Sequence, residues 1–277
     1  MPQLIHRLPT RTALLSSLAL LLGVAAAPPS DALHRAIASP ERDPAQVQRD
    51  GARRPAEVLT FIGVRPTSTI VEIWPGKHAY WTQILAPYLH DRGTYYLALG
   101  DTAGSGAEKA FASPPTEVAG DAATWAAGFD KVRLTQFSAA HPDPAPAGSV
   151  DTVLTFRNLH NWMGDGDAPQ LLAAIHTALK PGGILGIEDH RARPDRPQDP
   201  KADDGYVRQD YAIALIEKAG FKLVATSEIE KNPRDTTHWP KGVWTLPPTF
   251  AMKDVDRAKY AAIGEADNFL LKFQKIG

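Results

Sequence analysis

Two short segments of the sequence hold most of the side chains that could take part in chemistry. Each segment adjoins an apolar run, and together they supply an arginine, an asparagine, two histidines and two carboxylates, at Arg157, His160, Asn161, Glu188, Asp189 and His190. An imidazole exchanges a proton near neutral pH, and a carboxylate or an amide can hold it in a fixed orientation. We therefore expect acid–base chemistry in which His160 is the base and Arg157 binds an acidic or polar group of the substrate.

The sequence gives less support to other kinds of catalytic site. The histidines form no H-E-x-x-H motif and no close His-x-His pair, so we expect no metal site unless separate loops assemble one. The G-x-S-x-G nucleophile motif and the G-x-G-x-x-G dinucleotide motif are also absent. This argues against an α/β-hydrolase and against a dinucleotide-binding protein.

Both polar segments lie at the ends of predicted strands of a parallel sheet. After Pro55, short apolar runs alternate with segments of helical spacing, which is typical of a parallel sheet with helices on both faces. The predicted strands are 69–74, 94–99, 132–137, 150–156, 184–188, 221–229 and 268–274. Because binding sites of such sheets lie at the carboxyl ends of the strands, we expect the polar segments to form a site there.

Helices are predicted between these strands. Their apolar spacing places them from about Ala79, over 122–127, over 170–179 and over 207–219. The segment 231–267 contains four prolines and two tryptophans and is too long for an ordinary connection. We expect it to form a lid over the site.

The N-terminus has the three-part pattern of a secretory signal peptide. Arg7 and Arg11 precede the apolar run 13–27, which ends in three alanines and is followed by two prolines. This run is shorter than the roughly 20 residues that a membrane span needs. We therefore expect cleavage near Ala27 and a periplasmic or secreted protein without a stable membrane anchor; a retained signal anchor is the alternative. An arm or one short helix over 28–55 would then precede a single domain over 56–277.

The balance of acidic and basic residues indicates which kinds of partner the protein can bind. Loss of residues 1–27 removes two of the 30 basic residues and none of the 31 acidic ones, which leaves a slightly acidic protein. Nucleic-acid binding needs a basic surface, so we expect a small-molecule substrate and no nucleic acid. The chain contains no cysteine, so an exported form must be stable without disulfides.

Four local motifs occur at corresponding places in this order of strands. They are Val71–Tyr80, Asp101, Asp151–Trp162 and Leu179–Arg191. Together they resemble the class I S-adenosylmethionine-dependent methyltransferases, in particular an exported bacterial branch of predicted methyltransferases. The resemblance extends from about Pro55 to Gly277.

That resemblance implies a fold and a place for the site. The fold is a three-layer α/β sandwich, in which a seven-stranded, mostly parallel, Rossmann-like sheet ends in an antiparallel strand and follows an N-terminal helical arm. In the family's strand order, the strands before Arg157 and through Glu188 are neighbours. The six polar residues of the two segments should therefore share one pocket.

The resemblance also implies S-adenosylmethionine as the cofactor. Its binding residues would be Glu72, Trp74, Gly76, His78 and Asp101. In the family, glycines after the first strand let the backbone approach the methionyl part of the cofactor, and here Trp74 and His78 stand at the first and third of those positions. Asp101 would bind the ribose hydroxyls, or it is a turn residue.

Two functions stay open at this point. The first is a methyltransferase acting on a small molecule or on an envelope component. The second is a protein that keeps the fold without the cofactor and serves as a binding module or as an enzyme independent of S-adenosylmethionine. The altered loop and the export signal favour the second, because the cofactor is made in the cytoplasm.

Overall fold

The structure is a computed structural model, and it describes residues 30–100 and 128–277. Three predictions fall outside these residues: the signal peptide over 1–27, the ribose-binding role of Asp101 and the helix over 122–127. Within the described ranges, no helix has both the length and the apolar content needed to cross a membrane.

The core of the described part is a seven-stranded sheet. The strands in the described ranges are β1 (Thr69–Ile73), β2 (Thr94–Leu99), β3 (Arg133–Gln136), β4 (Val150–Phe156), β5 (Leu179–His190), β6 (Phe221–Ser227), β7 (Pro240–Val243) and β8 (Asn268–Lys275). The sheet has the order β3-β2-β1-β4-β5-β8-β6 and does not include β7. Strands β1 to β5 are parallel, and β8 is antiparallel to both β5 and β6. The predicted fold class is confirmed.

Helices cover both faces of this sheet. They are α1 (Asp31–Ile37), α2 (Pro44–Val47), α3 (Asp50–Arg53), α4 (Pro55–Ile62), α5 (Thr82–Leu89), α6 (Leu159–Asp165), α7 (Ala168–Ala178), α8 (Gln209–Lys218) and α9 (Arg257–Ile263). Apolar residues of α6, α7 and α8 pack in one core, and those of α1, α4 and α5 pack in the other. Alternate residues of a strand enter opposite cores, as Val153 and Leu154 of β4 do, because strand side chains point to the two faces in turn.

The bounds of most elements agree with the prediction to within two residues. Strand β5 is longer than predicted at its start, because Leu179 already pairs with Val150 before the Pro181-Gly182-Gly183 turn interrupts the ladder. Helix α5 begins at Thr82 rather than near Ala79, since the backbone of Ala79 has a φ of 41° and so cannot belong to a right-handed helix.

The N-terminal arm contains more helix than predicted. Instead of one short helix, residues 28–55 include α1, α2 and α3, and α4 begins directly at Pro55. Arg42 fixes this part internally, with its guanidinium 2.7 Å from each carboxylate oxygen of Asp50. Leu33 and Ala36 of α1 are buried in the same core as α5. The arm is therefore a packed part of the domain.

The segment 231–267 has structure of its own. It includes β7 and α9, and it contributes to a small third core formed by Tyr206, Val243, Leu246, Tyr260 and Ala266. Local packing therefore holds this segment against the carboxyl edge of the sheet. Its contact with the candidate site is described below.

Candidate active site

A cavity of about 320 Å³ lies at the carboxyl edge of the sheet. The loop after β1, the ends of β4 and β5, and part of α6 form its floor and one side. Arg49 and Arg53 of the arm line another side, and residues 243–249 and 265–266 close over it. Six separate stretches of the chain therefore build one cavity at the edge where sheets of this type bind ligands.

The loop after β1 has a fixed shape. Trp74 and Gly76 both have positive φ values, 47° and 71°, so the chain turns sharply as it leaves the strand. The side-chain amide of Asn158 donates to the carbonyl of Ile73 at 2.9 Å and thereby holds the start of the turn. The Trp74 Nε1 donates to the Phe137 carbonyl at 2.8 Å. These bonds direct the indole across the ends of β1, β2 and β3.

Asp189 holds the backbone and the imidazole of His160. The His160 amide donates to Asp189 Oδ2 at 2.9 Å, and His160 Nδ1 lies 2.8 Å from Asp189 Oδ1. An ionised carboxylate can only accept, so Nδ1 carries a proton. The structure thus fixes the orientation of the His160 ring at the cavity wall.

A second chain of hydrogen bonds orients His190. Its Nδ1 lies 2.8 Å from Asn268 Oδ1, and the Asn268 amide donates to Glu188 Oε1 at 2.9 Å. Because the amide oxygen is the acceptor, His190 also carries its proton on Nδ1. The rings of His160 and His190 have centroids 5.4 Å apart. Two imidazoles with free Nε2 atoms therefore stand side by side at the cavity wall.

The charges around these rings follow from their burial. Burial alone would raise the pKa of Asp189, but the charge and hydrogen bond of His160 and the charge of His190 lower it. Burial lowers the pKa of His190 to about 3, against the opposing charge of Asp189. At neutral pH the site therefore contains an ionised Asp189 beside a neutral His190 imidazole.

Arginines from distant parts of the chain converge on Glu265. Arg49 binds this carboxylate through two nitrogens at 2.6 Å and 2.9 Å, and Arg157 Nη1 lies 3.1 Å from it. Arg53 approaches the same carboxylate at 3.4 Å and stacks on Tyr80 at 4.4 Å from the ring centroid. Three guanidinium groups share one carboxylate, so this side of the cavity is positively charged.

Two buried carboxyl groups lie beneath Arg157. Burial raises the pKa of Glu188 to about 7, although the charge of Arg157, whose Nε lies 3.7 Å away, lowers it. Burial and the neighbouring charge of Glu188 raise the pKa of Glu230 well above its usual value. Both shifts favour the protonated form of the two buried carboxyl groups behind the arginine.

The structure brings together all six residues predicted at the ends of β4 and β5. Arg157, His160, Asn161 and His190 line the cavity. Glu188 and Asp189 lie directly behind them, with 1% and 0% of their surfaces exposed, and act through the residues that they bind.

The predicted cofactor residues are divided between two environments. Trp74, Gly76 and His78 line the cavity. Glu72 does not, because it is buried under the loop, where it accepts hydrogen bonds from Thr82 and Tyr95. Burial raises the pKa of Glu72 to about 7, although both hydrogen bonds act in the opposite direction.

Several residues of the site were not found from the sequence. They are Arg49, Arg53, Trp244, Glu265 and Asn268. None belongs to a local motif, and each reaches the site from a remote part of the chain. The sequence also gave no metal-binding motif, yet His160, Asp189 and His190 each offer a ligand atom within 4.8 Å of the others. The sequence held one signal for this cluster, because His160 and His190 each lie at the end of one of two neighbouring parallel strands.

Comparison with known families gives a partial match. Residues 107–187 match the methyltransferase domain family, a range that includes β4, α6, α7 and most of β5. It does not include the loop after β1. The curated proteins include no significant match to this chain.

Solved structures show the same fold at low sequence identity. A SAM-dependent methyltransferase from Aquifex aeolicus is 16% identical, with a TM-score of 0.53 over 85% of this chain and 95% of that one. The [4+2]-cyclase SpnF is 14% identical, with a TM-score of 0.56 over 88% of this chain and 92% of that one. These neighbours show that the chain shares the fold of these proteins, and the family match is confined to residues 107–187.

The shape of the loop after β1 determines how much space S-adenosylmethionine would have there. The cavity side of the loop is open, and a Cβ added to Gly76 would meet nothing within 4 Å. The opposite side is filled, since a Cβ at Gly100 would lie 3.1 Å from the Trp74 indole, and Trp162 packs edge-on against that indole at 5.9 Å. In this position, the Trp74 indole covers the strand ends beside Gly100, while the cavity side of Gly76 stays open to a ligand.

Proposed function

We propose that the protein is an exported methyltransferase that activates a small acidic or polar molecule at His160. Its methyl donor is S-adenosylmethionine, which binds after the Trp74 indole moves aside. The acceptor is a small molecule or an envelope component. The cavity volume of about 320 Å³ suits a small acceptor group.

The observation that carries this proposal is the His160–Asp189 pair at the cavity wall. The bond between Nδ1 and Asp189 Oδ1, 2.8 Å long, orients the ring and leaves Nε2 as the atom that would take the proton of the acceptor. Methyl transfer needs a deprotonated acceptor, correct alignment and exclusion of water. His160 would remove the proton, and the Asp189 carboxylate would stabilise the imidazolium that results.

The arginines of the cavity support an acidic acceptor. Arg157 is held against Glu265 at 3.1 Å, and Arg49 and Arg53 share that carboxylate. A substrate carboxylate or phosphate entering the cavity would bind this excess positive charge and place its nucleophilic atom near His160. Val243, Trp244 and Pro247 lie over the same cavity and would exclude water from it.

The position of Trp74 favours a second candidate function. The indole is bound to the Phe137 carbonyl at 2.8 Å and covers the strand ends, so a cofactor that binds across these strand ends would have to displace it. An enzyme that uses the His160–Asp189 pair without S-adenosylmethionine would have this arrangement. The [4+2]-cyclase SpnF, which shares the fold, illustrates that the fold does not define the reaction.

Calorimetry with S-adenosylmethionine separates the two candidates. The wild-type protein and the Trp74→Ala variant would each be titrated with the cofactor, with exposed Tyr211→Ala as a control outside the cavity. The methyltransferase proposal expects binding by the wild type, about 10-fold tighter in Trp74→Ala because the indole no longer has to be displaced. Binding by neither protein would contradict that proposal and leave the cofactor-independent enzyme.

A further inference from the structure

Three arginines of the cavity wall meet at a single oxygen atom. Oε2 of Glu265 lies 2.9 Å from Arg49 Nη2, 3.1 Å from Arg157 Nη1 and 3.4 Å from Arg53 Nε. Because these contacts end on the same atom, the guanidinium groups of Arg53 and Arg157 are close enough to bind one further anion together.

The cavity has more positive charge than its own acidic residues can balance. Four side chains with a permanent positive charge line it, namely Arg49, Arg53, Lys77 and Arg157. In the part of the chain that the structure describes, Glu265 is the only acid in this lining. When the ionised Asp189 behind the wall is counted as well, positive charges still exceed negative ones by two. This excess favours a ligand with more than one negative charge.

The two carboxyl groups behind Arg157 do little to offset that excess. Glu188 and Glu230 are buried, and burial raises the pKa of each, which favours the uncharged form. The positive charge of the arginines is therefore left for a ligand in the cavity.

Arg53 and Arg157 also have N–H groups that are not yet used. A guanidinium has five N–H donors, which all lie in its plane. In residues 30–100 and 128–277, no acceptor hydrogen-bonds to Nη1 or Nη2 of Arg53 or to Nη2 of Arg157, and none of these atoms is fully buried. Arg53 stacks on the Tyr80 ring at 4.4 Å from its centroid, which leaves the in-plane donors free. Since Arg53 is only 4% exposed and lines the cavity, these donors face the cavity.

The protein holds these donors in place without a ligand. Tyr80, on which Arg53 stacks, donates its hydroxyl to Asp50 at 2.6 Å, and Arg42 binds both oxygens of Asp50 at 2.7 Å. Arg157 is held by Glu265. An anion would therefore gain charge-assisted hydrogen bonds without the entropy cost of ordering two long side chains.

We infer that Arg53 and Arg157 form a binding site for the dianion of a phosphate monoester, with Arg49 and Glu265 fixing their positions. A phosphate monoester carries close to two negative charges at neutral pH and has three acceptor oxygens. These oxygens can accept from two guanidinium groups that approach from different directions. A carboxylate has one charge and two oxygens in one plane, so it suits this site less well.

This inference rests on the proposed function for its substrate and makes that substrate more specific. The methyl acceptor would be a phosphorylated small molecule, held by its phosphate at Arg53 and Arg157 with its reacting atom near His160. Binding of a phosphate ester can be measured without the methyl donor, so the two ideas have separate tests.

Two ligands of nearly equal shape test which charge the site prefers. A phosphate monoester has a second pKa of about 6, so methyl phosphate is a dianion at pH 8, whereas methyl sulfate is a monoanion throughout. In calorimetry at pH 8, methyl phosphate should bind at least about 10-fold tighter than methyl sulfate or acetate, because its second charge attracts both guanidinium groups. At pH 5 this difference should fall to about 3-fold or less. Methyl sulfate reports any change that comes from the protein's own titrating groups, such as Glu188.

Variants assign the binding to these arginines. Arg53→Gln and Arg157→Gln should each weaken methyl phosphate binding by about 10-fold or more, and Arg53→Lys, which keeps the charge without the Nη donors, should lie between wild type and Arg53→Gln. The matched control is Arg54→Gln, the next residue along the arm, whose guanidinium is exposed and pairs with Glu57. On the wild-type chain, methyl phosphate should also protect Arg53 from phenylglyoxal, a result that needs no variant to fold.

The source of the phosphate group is tested with glycerol 3-phosphate and with vesicles. Residues 243–249 and 265–266 close over the cavity, so we expect the soluble ester to bind. Phosphatidylcholine vesicles that contain phosphatidic acid should retain no more protein than vesicles without it. Retention by phosphatidic acid without binding of glycerol 3-phosphate would overturn the assignment to a small molecule.

Three outcomes would overturn the site: equal affinity for methyl phosphate and methyl sulfate at pH 8, equal binding by Arg53→Gln and Arg54→Gln, or no protection of Arg53. Binding of S-adenosylmethionine together with any of these would contradict the phosphate site and leave the methyltransferase. Selective binding of methyl phosphate by a protein that does not bind S-adenosylmethionine would do the reverse.

Discussion

The carboxyl edge of the sheet has two halves that differ in how they use their polar residues. At the ends of β4 and β5, His160 and His190 face the cavity, and buried Asp189 and Glu188 support them from behind. At the ends of β1 and β2, the acid Glu72 is sealed below the loop and an indole covers the strand ends. One half is arranged for chemistry and the other for packing.

This difference shows that the residues after each strand, rather than the sheet itself, decide what each half can do. Each strand end is followed by its own loop, and the two halves meet where Asn158 donates to the Ile73 carbonyl. The domain match has the same limits, since it covers β4 and most of β5 and excludes β1. The predictions below test each half in turn.

The largest effect is expected in the half arranged for chemistry. His160→Gln removes the proposed base from the cavity, and kcat should fall by about 10²-fold to 10⁴-fold. Steady-state kinetics on an identified substrate would measure it, with circular dichroism to verify folding. His238→Gln, an exposed control, should retain wild-type kcat. Equal activity in both variants would move the chemistry away from the His160–Asp189 pair.

A pH dependence of stability is expected from the half arranged for packing. The raised pKa of Glu72, about 7 against an ordinary 4.5, means that the folded protein keeps a proton that the unfolded chain loses. This stabilisation is complete below pH 4.5 and is lost as pH rises through about 7, and it amounts to roughly 3 kcal/mol for a shift of this size.

Urea unfolding from pH 5 to pH 8 would measure that effect. Glu72→Gln, which keeps the shape of a protonated carboxyl group, should unfold with a smaller pH dependence than the wild type. Glu188 has a similarly raised pKa, so some dependence will remain. An unchanged slope in Glu72→Gln would mean that Glu72 is ionised in the folded protein.

Loss of Glu265 should separate the arm from the cavity. Glu265→Gln weakens the contacts of three partly buried arginines and should lower the free energy of unfolding by about 2 kcal/mol, with faster proteolysis of residues 30–55. Glu57→Gln is the control, because its pair with Arg54 is exposed and should contribute less than about 0.5 kcal/mol. Similar losses in both variants would argue against Glu265 as the link.

The smallest effect is expected from the exposed residues of the altered loop. Lys77→Gly with His78→Gly removes two side chains from the approach of the methionyl part, and S-adenosylmethionine should bind a few-fold tighter. Calorimetry beside Lys201→Gly, an exposed lysine on another turn, would provide the comparison. Weaker binding in the double variant would instead assign Lys77 or His78 a direct contact with the cofactor.

The sequence alone was sufficient for the sheet and for much of the site. Apolar runs and glycine-containing turns are local signals, and they located β2 and β4 to the residue. The polar segments after β4 and in β5 come together because parallel neighbours end at one edge, which follows from strand order. The predicted start of α5 at Ala79 was wrong. The turn after Gly76 continues through Ala79, and α5 begins only at Thr82.

Tertiary structure alone decided which side chains face the cavity and which support it from behind. No local pattern indicates that Asn268 would orient His190 from 78 residues away, or that Arg49 would reach Glu265 across 216 residues. The direction of the Trp74 indole likewise depends on the Phe137 carbonyl and on the missing Cβ of Gly100. Strand and helix patterns are encoded locally because backbone geometry repeats along the chain, whereas these partners are set by contacts that exist only after the sheet has formed.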